Sequence, residues 1–199
     1  FIWFEHLYEC AKLAKKNGIK NVLVTNGYYN VEPFKEILPY IDAMNIDLKA
    51  FKDSFYIQIC KGKVEPVKET IKLAFQNTHI EITTLIIPEL NDNKDELSEL
   101  IDFIASLDKE IPFHISRYFP RHNRHTPPTS EETLKFAYNL AKKKLKHVYV
   151  GNIGGFDNNT YCSNCGHELI TRNFYNTRIT GLNVNKCKNC EKILYGNFE

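Results

Sequence analysis

Four of the six cysteines stand in two CxxC pairs, Cys162 with Cys165 and Cys187 with Cys190. Each CxxC predicts a tight turn whose backbone N–H groups point at the thiolate sulfurs. Two such turns bring four thiolates into a tetrahedron, which suits zinc, although the same ligands also hold iron as in rubredoxin. A thioredoxin-like redox role is disfavoured, because neither pair lies between a strand and a helix. The spacing therefore predicts a metal ribbon that binds zinc or iron.

Three strand-like segments carry polar side chains at every second position. The polar positions are Asn45, Asp47 and Lys49 in NIDLKA, His79, Glu81 and Thr83 in HIEITTLII, and His114 and Ser116 in FHISRYF. Side chains alternate between the two faces of a strand, so one face of the sheet is apolar and the other polar. Helices would cover the apolar face. A polar face shared by three strands indicates a ligand cavity; edge strands with a solvated side are the alternative.

The elements that position these residues alternate between strand and helix. Strands are predicted at 21–25, 43–49, 79–87, 112–119 and 147–151, and helices at 5–16, 33–40, 65–76, 93–107 and 131–144. This alternation implies right-handed crossovers and a parallel sheet, so the fold class is α/β, either an open sheet or a partial (β/α) barrel. A Gly- and Asn-rich loop at 151–159 predicts a boundary between a barrel part at 1–155 and the ribbon at 156–199.

The composition is that of a globular protein, with 43% hydrophobic and 25% charged residues. A net charge of +2 gives no argument for nucleic acid or an acidic membrane surface. No apolar run is long enough to cross a bilayer and no signal peptide is visible, so no membrane partner is expected. The paired cysteines are typical of a reducing compartment and predict a cytoplasmic protein. The other two cysteines, Cys10 and Cys60, are expected to pack as small hydrophobic residues.

A set of motifs in fixed order resembles the radical S-adenosylmethionine (SAM) superfamily. The motifs are VTNGY (24–28), NIDLKAF (45–51), LIIPELND (85–92), HISRYFPRH (114–122), VYVGNI (148–153) and the YCSNC and KCKNC turns. Their order is most similar to the AmmeMemoRadiSam group, relatives of the pyruvate formate-lyase activating enzymes. The resemblance implies a partial (β/α) barrel that holds SAM beside a [4Fe–4S] cluster and generates a 5′-deoxyadenosyl radical.

The resemblance also implies roles for particular residues. Asp47 and Lys49 fall at the SAM site, where Lys49 would pair with the methionine carboxylate; a plain Asp–Lys pair at a strand end is the alternative. Asn26 ends the preceding strand, where ligands of α/β folds bind, and an ordinary Asn-Gly turn is equally compatible. Thr83, His114 and Ser116 are further expected cavity residues. Arg117, in the RYFP motif, is expected to contact SAM or substrate, although strand alternation places it opposite His114. A lone strand histidine such as His114 is more often a hydrogen-bonded structural group.

The sequence departs from the family in one respect that decides mechanism. It contains neither the CxxxCxxC cluster motif nor the Gly-Gly-Glu segment that meets the SAM amino group. The cluster ligands are therefore expected upstream of Phe1, and the chain alone is expected to be inactive. The substrate is unidentified; a glycyl-radical protein fits the activating-enzyme analogy, with a separate electron donor for the cluster.

A non-catalytic zinc-ribbon module that binds nucleic acid or protein is the alternative function. Its support is the basic character that Arg172, Lys186, Lys188 and Lys192 give the tail. A charge run of this size usually marks a solvated face, and no basic-aromatic platform accompanies it, which disfavours nucleic acid.

Overall fold

Five parallel strands form one sheet in the computed structural model, which describes residues 3–122, 124–173 and 176–196. The strands are β1 (Val22–Thr25), β2 (Ala43–Asp47), β3 (His79–Ile86), β4 (Phe113–Arg117) and β5 (Val148–Gly151). They neighbour one another strictly in chain order. A doubly wound sheet reverses its strand order, whereas a barrel wall does not. The predicted partial (β/α) barrel is confirmed.

Helices alternate with the strands, as the sequence predicts; the first precedes β1 and the others connect consecutive strands. They are α1 (Phe4–Lys16), α2 (Val31–Ile37) with a 3₁₀ turn (Leu38–Tyr40), α3 (Asp53–Phe55) with a π turn (Tyr56–Cys60), α4 (Glu65–Phe75), α5 (Lys94–Leu107) and α6 (Glu131–Lys142). The side chain of Asn93 accepts hydrogen bonds from the N–H groups of Asp95 and Glu96, and Ser130 caps α6 through Thr133. These caps fix where α5 and α6 begin. The short 53–60 segment was not predicted.

The core lies on one face of the sheet, where alternate strand residues pack against the helices. Met44, Ile46, Ile80, Ile82 and Ile115 are almost completely buried in it. The intervening polar side chains remain partly exposed on the opposite face. The predicted division into an apolar and a polar face is therefore confirmed. We call the polar face the inner face, because it is the concave side of a partial barrel.

The expectation that Cys10 and Cys60 pack in the core is wrong, because both are exposed. In α1 the buried line runs through Leu7, Ala11 and Ala14, which leaves Cys10 at its edge. Cys60 ends the π turn, in the segment for which no element was predicted.

The tail folds as short antiparallel strands around the cysteines. They are β6 (Thr160–Tyr161), β7 (Glu168–Asn173), β8 (Asn176–Ile179), β9 (Leu182–Asn183) and β10 (Lys186–Cys187). Its small core includes Leu169, Leu182 and Leu194 beside Cys162 and Cys187. The domain boundary between residues 155 and 156 stays a prediction. Among the helices of the described residues, none has the length and apolarity to cross a membrane.

Candidate functional site

The sheet register brings three of the predicted SAM residues into one row. Asp47 pairs with Thr83 between β2 and β3, and Thr83 pairs with His114 between β3 and β4. Because strand alternation places all three on the inner face, they lie at one level of the barrel wall. Asp47 is the last residue of β2, the end at which ligands of α/β folds bind, whereas Thr83 lies in the middle of β3 and His114 is the second residue of β4.

Lys49 lies just beyond the end of β2 and pairs with Asp47. Its Nζ is 2.7 Å from Asp47 Oδ2, and each side chain is a little over one third exposed. The loop after β3 fixes the Lys49 backbone, because the buried Asn91 amide donates to Lys49 O at 2.6 Å and to Leu85 O at 2.8 Å. The LIIPELND motif thus positions the end of the DLK strand. Thr83 Oγ1 donates to Asn45 Oδ1 at 2.7 Å.

The other two predicted SAM residues lie apart from this row. Asn26 lines a separate cavity of about 630 Å³ beside Cys60 and accepts the Tyr28 N–H as in an Asx turn. Arg117 donates from Nε to Thr129 O at 2.9 Å, and its guanidinium stacks on Phe119. The contacts of all six predicted residues with SAM stay predictions.

A cavity of about 810 Å³ separates the inner face from the ribbon. The sheet contributes His79, Glu81, His114 and Tyr149 to its lining, and the tail contributes Arg172 and Tyr195. This volume falls within the range of small-molecule sites. Asp47, Lys49, Thr83 and Arg117 line neither described cavity.

The most polar part of the cavity is Glu81, which lies between two imidazoles. His114 Nε2 is 2.6 Å from Glu81 Oε2, and His79 Nε2 is 3.4 Å from Glu81 Oε1. Burial alone would raise the pKa of Glu81, but the hydrogen bonds from His114 and His79, together with the electrostatic attraction of these imidazoles, outweigh it. The pKa of this carboxyl therefore falls from its ordinary 4.5 to about 2, which keeps it ionised at neutral pH.

The four tail cysteines converge on one point. Their Sγ atoms all lie within 4.8 Å of one another, with 3.5 Å between Cys162 and Cys190 and 3.7 Å between Cys165 and Cys187. Metal–sulfur bonds of about 2.3 Å place the sulfurs of a tetrahedral site roughly 3.8 Å apart. The spacing fits a single ion, and it is too tight for thiolates spread around a four-iron cluster. The Asn189 N–H, 3.4 Å from Cys187 Sγ, points at a thiolate as the CxxC pattern predicts.

The ribbon is joined to the barrel part through Glu110, in the loop before β4. Its carboxylate accepts a hydrogen bond from Ser163 Oγ at 2.6 Å and lies 3.0 Å from Nε2 of the buried His147. Lys192 approaches the same carboxylate at 3.9 Å. Ser163 lies within the first CxxC and Lys192 follows the second, so one side chain contacts both turns. We call Glu110, His147 and Ser163 the latch.

Sequence reasoning missed the ribbon's share of the cavity. Arg172 was assigned to the basic surface of the tail, yet its guanidinium lies over the Tyr149 ring at 5.0 Å. Tyr195 lies beside His79 with ring centroids 4.8 Å apart. No local sequence pattern predicts either contact, because each contact joins a residue of the tail to a residue of the sheet. Glu81 itself was visible as an inner-face residue, and only the register shows that it meets His114.

A sequential parallel half-barrel with a polar inner face and an appended thiolate ribbon defines an α/β-barrel protein with a ligand cavity and a metal centre. Residues 2–104 match the Radical SAM superfamily. The chain therefore belongs to the radical SAM superfamily.

Two similar proteins come from Methanocaldococcus jannaschii. The chain is 46% identical over 200 residues to the Uncharacterized protein MJ0808 of Methanocaldococcus jannaschii, covering 96% of this chain and 59% of that protein. It is 28% identical to the Putative glycyl-radical enzyme activating enzyme MJ1632 of the same organism, covering 71% of this chain and 56% of that protein. It thus spans less than two thirds of the length of these relatives.

Two solved structures share the fold of this chain. A domain of a pyruvate-formate lyase-activating enzyme from Bacteroides vulgatus superposes with a TM-score of 0.66 at 18% identity, covering 76% of this chain and 92% of that one. The Streptococcus suis protein SuiB bound to SAM gives a TM-score of 0.54 at 11% identity, with 73% and 36% covered. At these identities the likeness concerns the fold alone.

Proposed function

We propose that this chain forms the carboxyl-terminal wall of a radical SAM enzyme of the activating-enzyme kind. The observation that carries the proposal is the row of Asp47, Thr83 and His114 on the inner face of a sequential parallel sheet, with the Lys49–Asp47 pair at the carboxyl end of β2. The superfamily match gives the class of chemistry. In that chemistry one electron, passed through a [4Fe–4S] cluster, cleaves bound SAM to a 5′-deoxyadenosyl radical that removes a hydrogen atom from the substrate.

The residues of this chain fit the SAM part of such a site and do not fit the cluster. Lys49 and Asp47 offer opposite charges that complement the carboxylate and the amino group of a methionine. Their half-exposed pair leaves both groups accessible. The sequence has no CxxxCxxC, and the tail sulfurs are spaced for one ion, so no residue here is assigned to the cluster. The role of the chain is to bind and orient SAM and to shield the site from water.

The tail metal has a structural role in this proposal. The core of the ribbon is small and includes two of the predicted metal ligands, Cys162 and Cys187. Metal binding therefore supplies much of the folding free energy of the ribbon. We propose zinc, with iron as the second candidate, because both accept four thiolates in a tetrahedron. Thiolates kept reduced for metal binding fit a cytoplasmic protein. A protein substrate and an external electron donor are proposed from the names of the relatives.

SAM cleavage is tested with full-length protein reconstituted anaerobically with iron and sulfide. We expect 5′-deoxyadenosine to form in the presence of dithionite and SAM. Absence of this product from protein with an intact cluster signal would refute the proposed chemistry.

The SAM contact is tested by calorimetry on the same protein. Lys49→Met should weaken SAM binding about 10-fold or more, because a charge-assisted hydrogen bond contributes roughly 1.5–3 kcal/mol. Lys35→Met is the matched control, since Lys35 pairs with Glu32 on the surface of α2. Equal SAM affinity for both variants would remove Lys49 from the site.

A further inference from the structure

The carboxylate of Glu81 faces the cavity without a permanent cation beside it. Its ion-pair partners in the described ranges of the chain are the two imidazoles of His79 and His114, and no Lys or Arg lies at ion-pair distance. The side chain is 35% exposed although it lies inside the partial barrel. A carboxylate has about four lone-pair positions, and the two histidines occupy one each. Acceptor capacity therefore remains on the cavity side.

The cations that line the same cavity are engaged elsewhere. Lys20 lies 3.8 Å from Asp42. Arg172 donates from one terminal nitrogen to Asn158 O at 2.9 Å and to Thr160 Oγ1 at 2.7 Å, while its plane lies over Tyr149. Neither side chain neutralises Glu81. The cavity thus presents a partly exposed carboxylate whose ion-pair partners, among the described residues, are the two imidazoles.

Two tyrosine rings lie beside the histidines that contact Glu81. His114 lies beside Tyr149 with centroids 5.3 Å apart, and His79 lies beside Tyr195 at 4.8 Å. The faces of tyrosine rings carry negative potential and attract organic cations, most strongly where water is excluded. A carboxylate among aromatic rings is the combination that recognises an ammonium group. The hydrogen bonds that hold the pKa of Glu81 at about 2 keep the charge in place at neutral pH.

We propose that the cavity between the inner face and the ribbon binds a small organic ligand through its ammonium group, with Glu81 as the anchor. The role of this site in catalysis rests on the proposed function, because the site and the proposed SAM row share the inner face of the same barrel. The binding itself does not rest on it. His114 and His79 orient the carboxylate, and Tyr149 and Tyr195 form the aromatic walls.

Glu81 lies on the amino-terminal side of the proposed SAM row. It precedes Thr83 by two residues on β3, so it lies about 7 Å below the Asp47–Thr83–His114 row. The cavity extends from Glu81 toward the amino ends of the strands, where Asp42, Pro112 and His147 line it. The ribbon closes the opposite side through Arg172 and Tyr195. The tail is therefore part of the binding site in this proposal.

Benzylamine and benzyl alcohol are suitable probes, because they share one shape and differ in charge at neutral pH. Binding is measured by calorimetry on the full-length protein with its ribbon metal in place and without SAM or reductant. We expect benzylamine to bind at least 10-fold more tightly than benzyl alcohol. Glu81→Gln should abolish this preference, and Glu81→Asp, which keeps the charge, should retain it. Asp42→Asn is the matched control, because Asp42 lines the same cavity but is already paired with Lys20; it should change benzylamine affinity less than threefold.

Several results would overturn the proposal. They are no measurable binding of benzylamine, equal binding of the amine and the alcohol, an unchanged preference in Glu81→Gln, and an equal loss in Asp42→Asn. Failure here is distinguishable from failure of the proposed function. Formation of 5′-deoxyadenosine without benzylamine binding would refute the amine site and leave the proposed enzyme function intact. Benzylamine binding without formation of 5′-deoxyadenosine would refute the proposed enzyme function and leave the amine site intact.

Discussion

The latch offers the sharpest test of how the ribbon is attached to the barrel part. Glu110→Ala removes the acceptor of the His147 ring N–H, and the His147 side chain is only 3% exposed. A buried donor left without a partner costs about 1–3 kcal/mol. The hydrogen bond from Ser163 to the same carboxylate adds about 1 kcal/mol. The half-exposed Lys192 contributes little. We therefore expect Glu110→Ala to lower the free energy of unfolding by about 2–4 kcal/mol.

The measurement is urea denaturation of the zinc-loaded protein, followed by circular dichroism. Glu110→Gln keeps one acceptor oxygen at the same length and should cost about 1 kcal/mol. Glu99→Ala, an exposed position on α5, is the control and should stay within about 0.5 kcal/mol.

A double-mutant cycle isolates the contact between the latch and the ribbon. Glu110→Ala and Ser163→Ala should be coupled by about 1 kcal/mol, because each removes the same hydrogen bond. Ser163→Ala should leave the metal content unchanged, since the four sulfurs remain. A cost below about 0.5 kcal/mol for Glu110→Ala, or zero coupling in the cycle, would refute the assignment of Glu110 as the junction.

Three further outcomes are expected. Cys187→Ser should reduce the ribbon metal from one ion per chain to none by elemental analysis, and retained stoichiometry would contradict the four-thiolate site. Burial lowers the pKa of His147 below its ordinary 6.5, despite the opposing hydrogen bond from Glu110. As pH falls, His147 is therefore protonated in the unfolded chain before it is protonated in the folded chain. Stability to urea should decrease as pH falls below about 6.5. The same stability at pH 7.5 and 5.5 would count against a neutral buried ring. Gly27→Ala should cost about 1–3 kcal/mol, because Gly27 has φ of +69° and an added Cβ would lie 2.7 Å from Ile46; Gly154→Ala, with no atom within 4 Å, is the control.

Local patterns predicted the elements of the barrel part well. The NIDLK and HIEIT segments show a period of two, and their apolar residues are the ones that pack on the helices. The Asn93 and Ser130 caps were readable because a cap is a contact between residues two or three positions apart. The segment at 53–60 was missed because a π turn has no sequence signature of its own.

The candidate site was predictable only in part. That Asp47, Thr83 and His114 share a face follows from alternation, but their common level follows from the register between strands. The register between two parallel strands depends on the length and packing of the helical connection between them. The sequence of one strand alone does not specify it. Asn26 is absent from the row because it lies past the end of β1, and Arg117 is absent because strand alternation places this last residue of β4 on the face opposite His114.

The sequence by itself determined the fold class, the inner and outer faces of the strands, and the four cysteines of the ribbon. Each of these depends on spacings of a few residues, such as the period of a strand or the two positions between cysteines. Only the tertiary structure decided that the ribbon folds back over the inner face, that Glu110 joins it there, and that Glu81 meets His114 inside a cavity completed by Arg172 and Tyr195. The Glu81–His114 and Glu110–Ser163 contacts join residues 33 and 53 positions apart, and their formation depends on packing free energies summed over the whole chain.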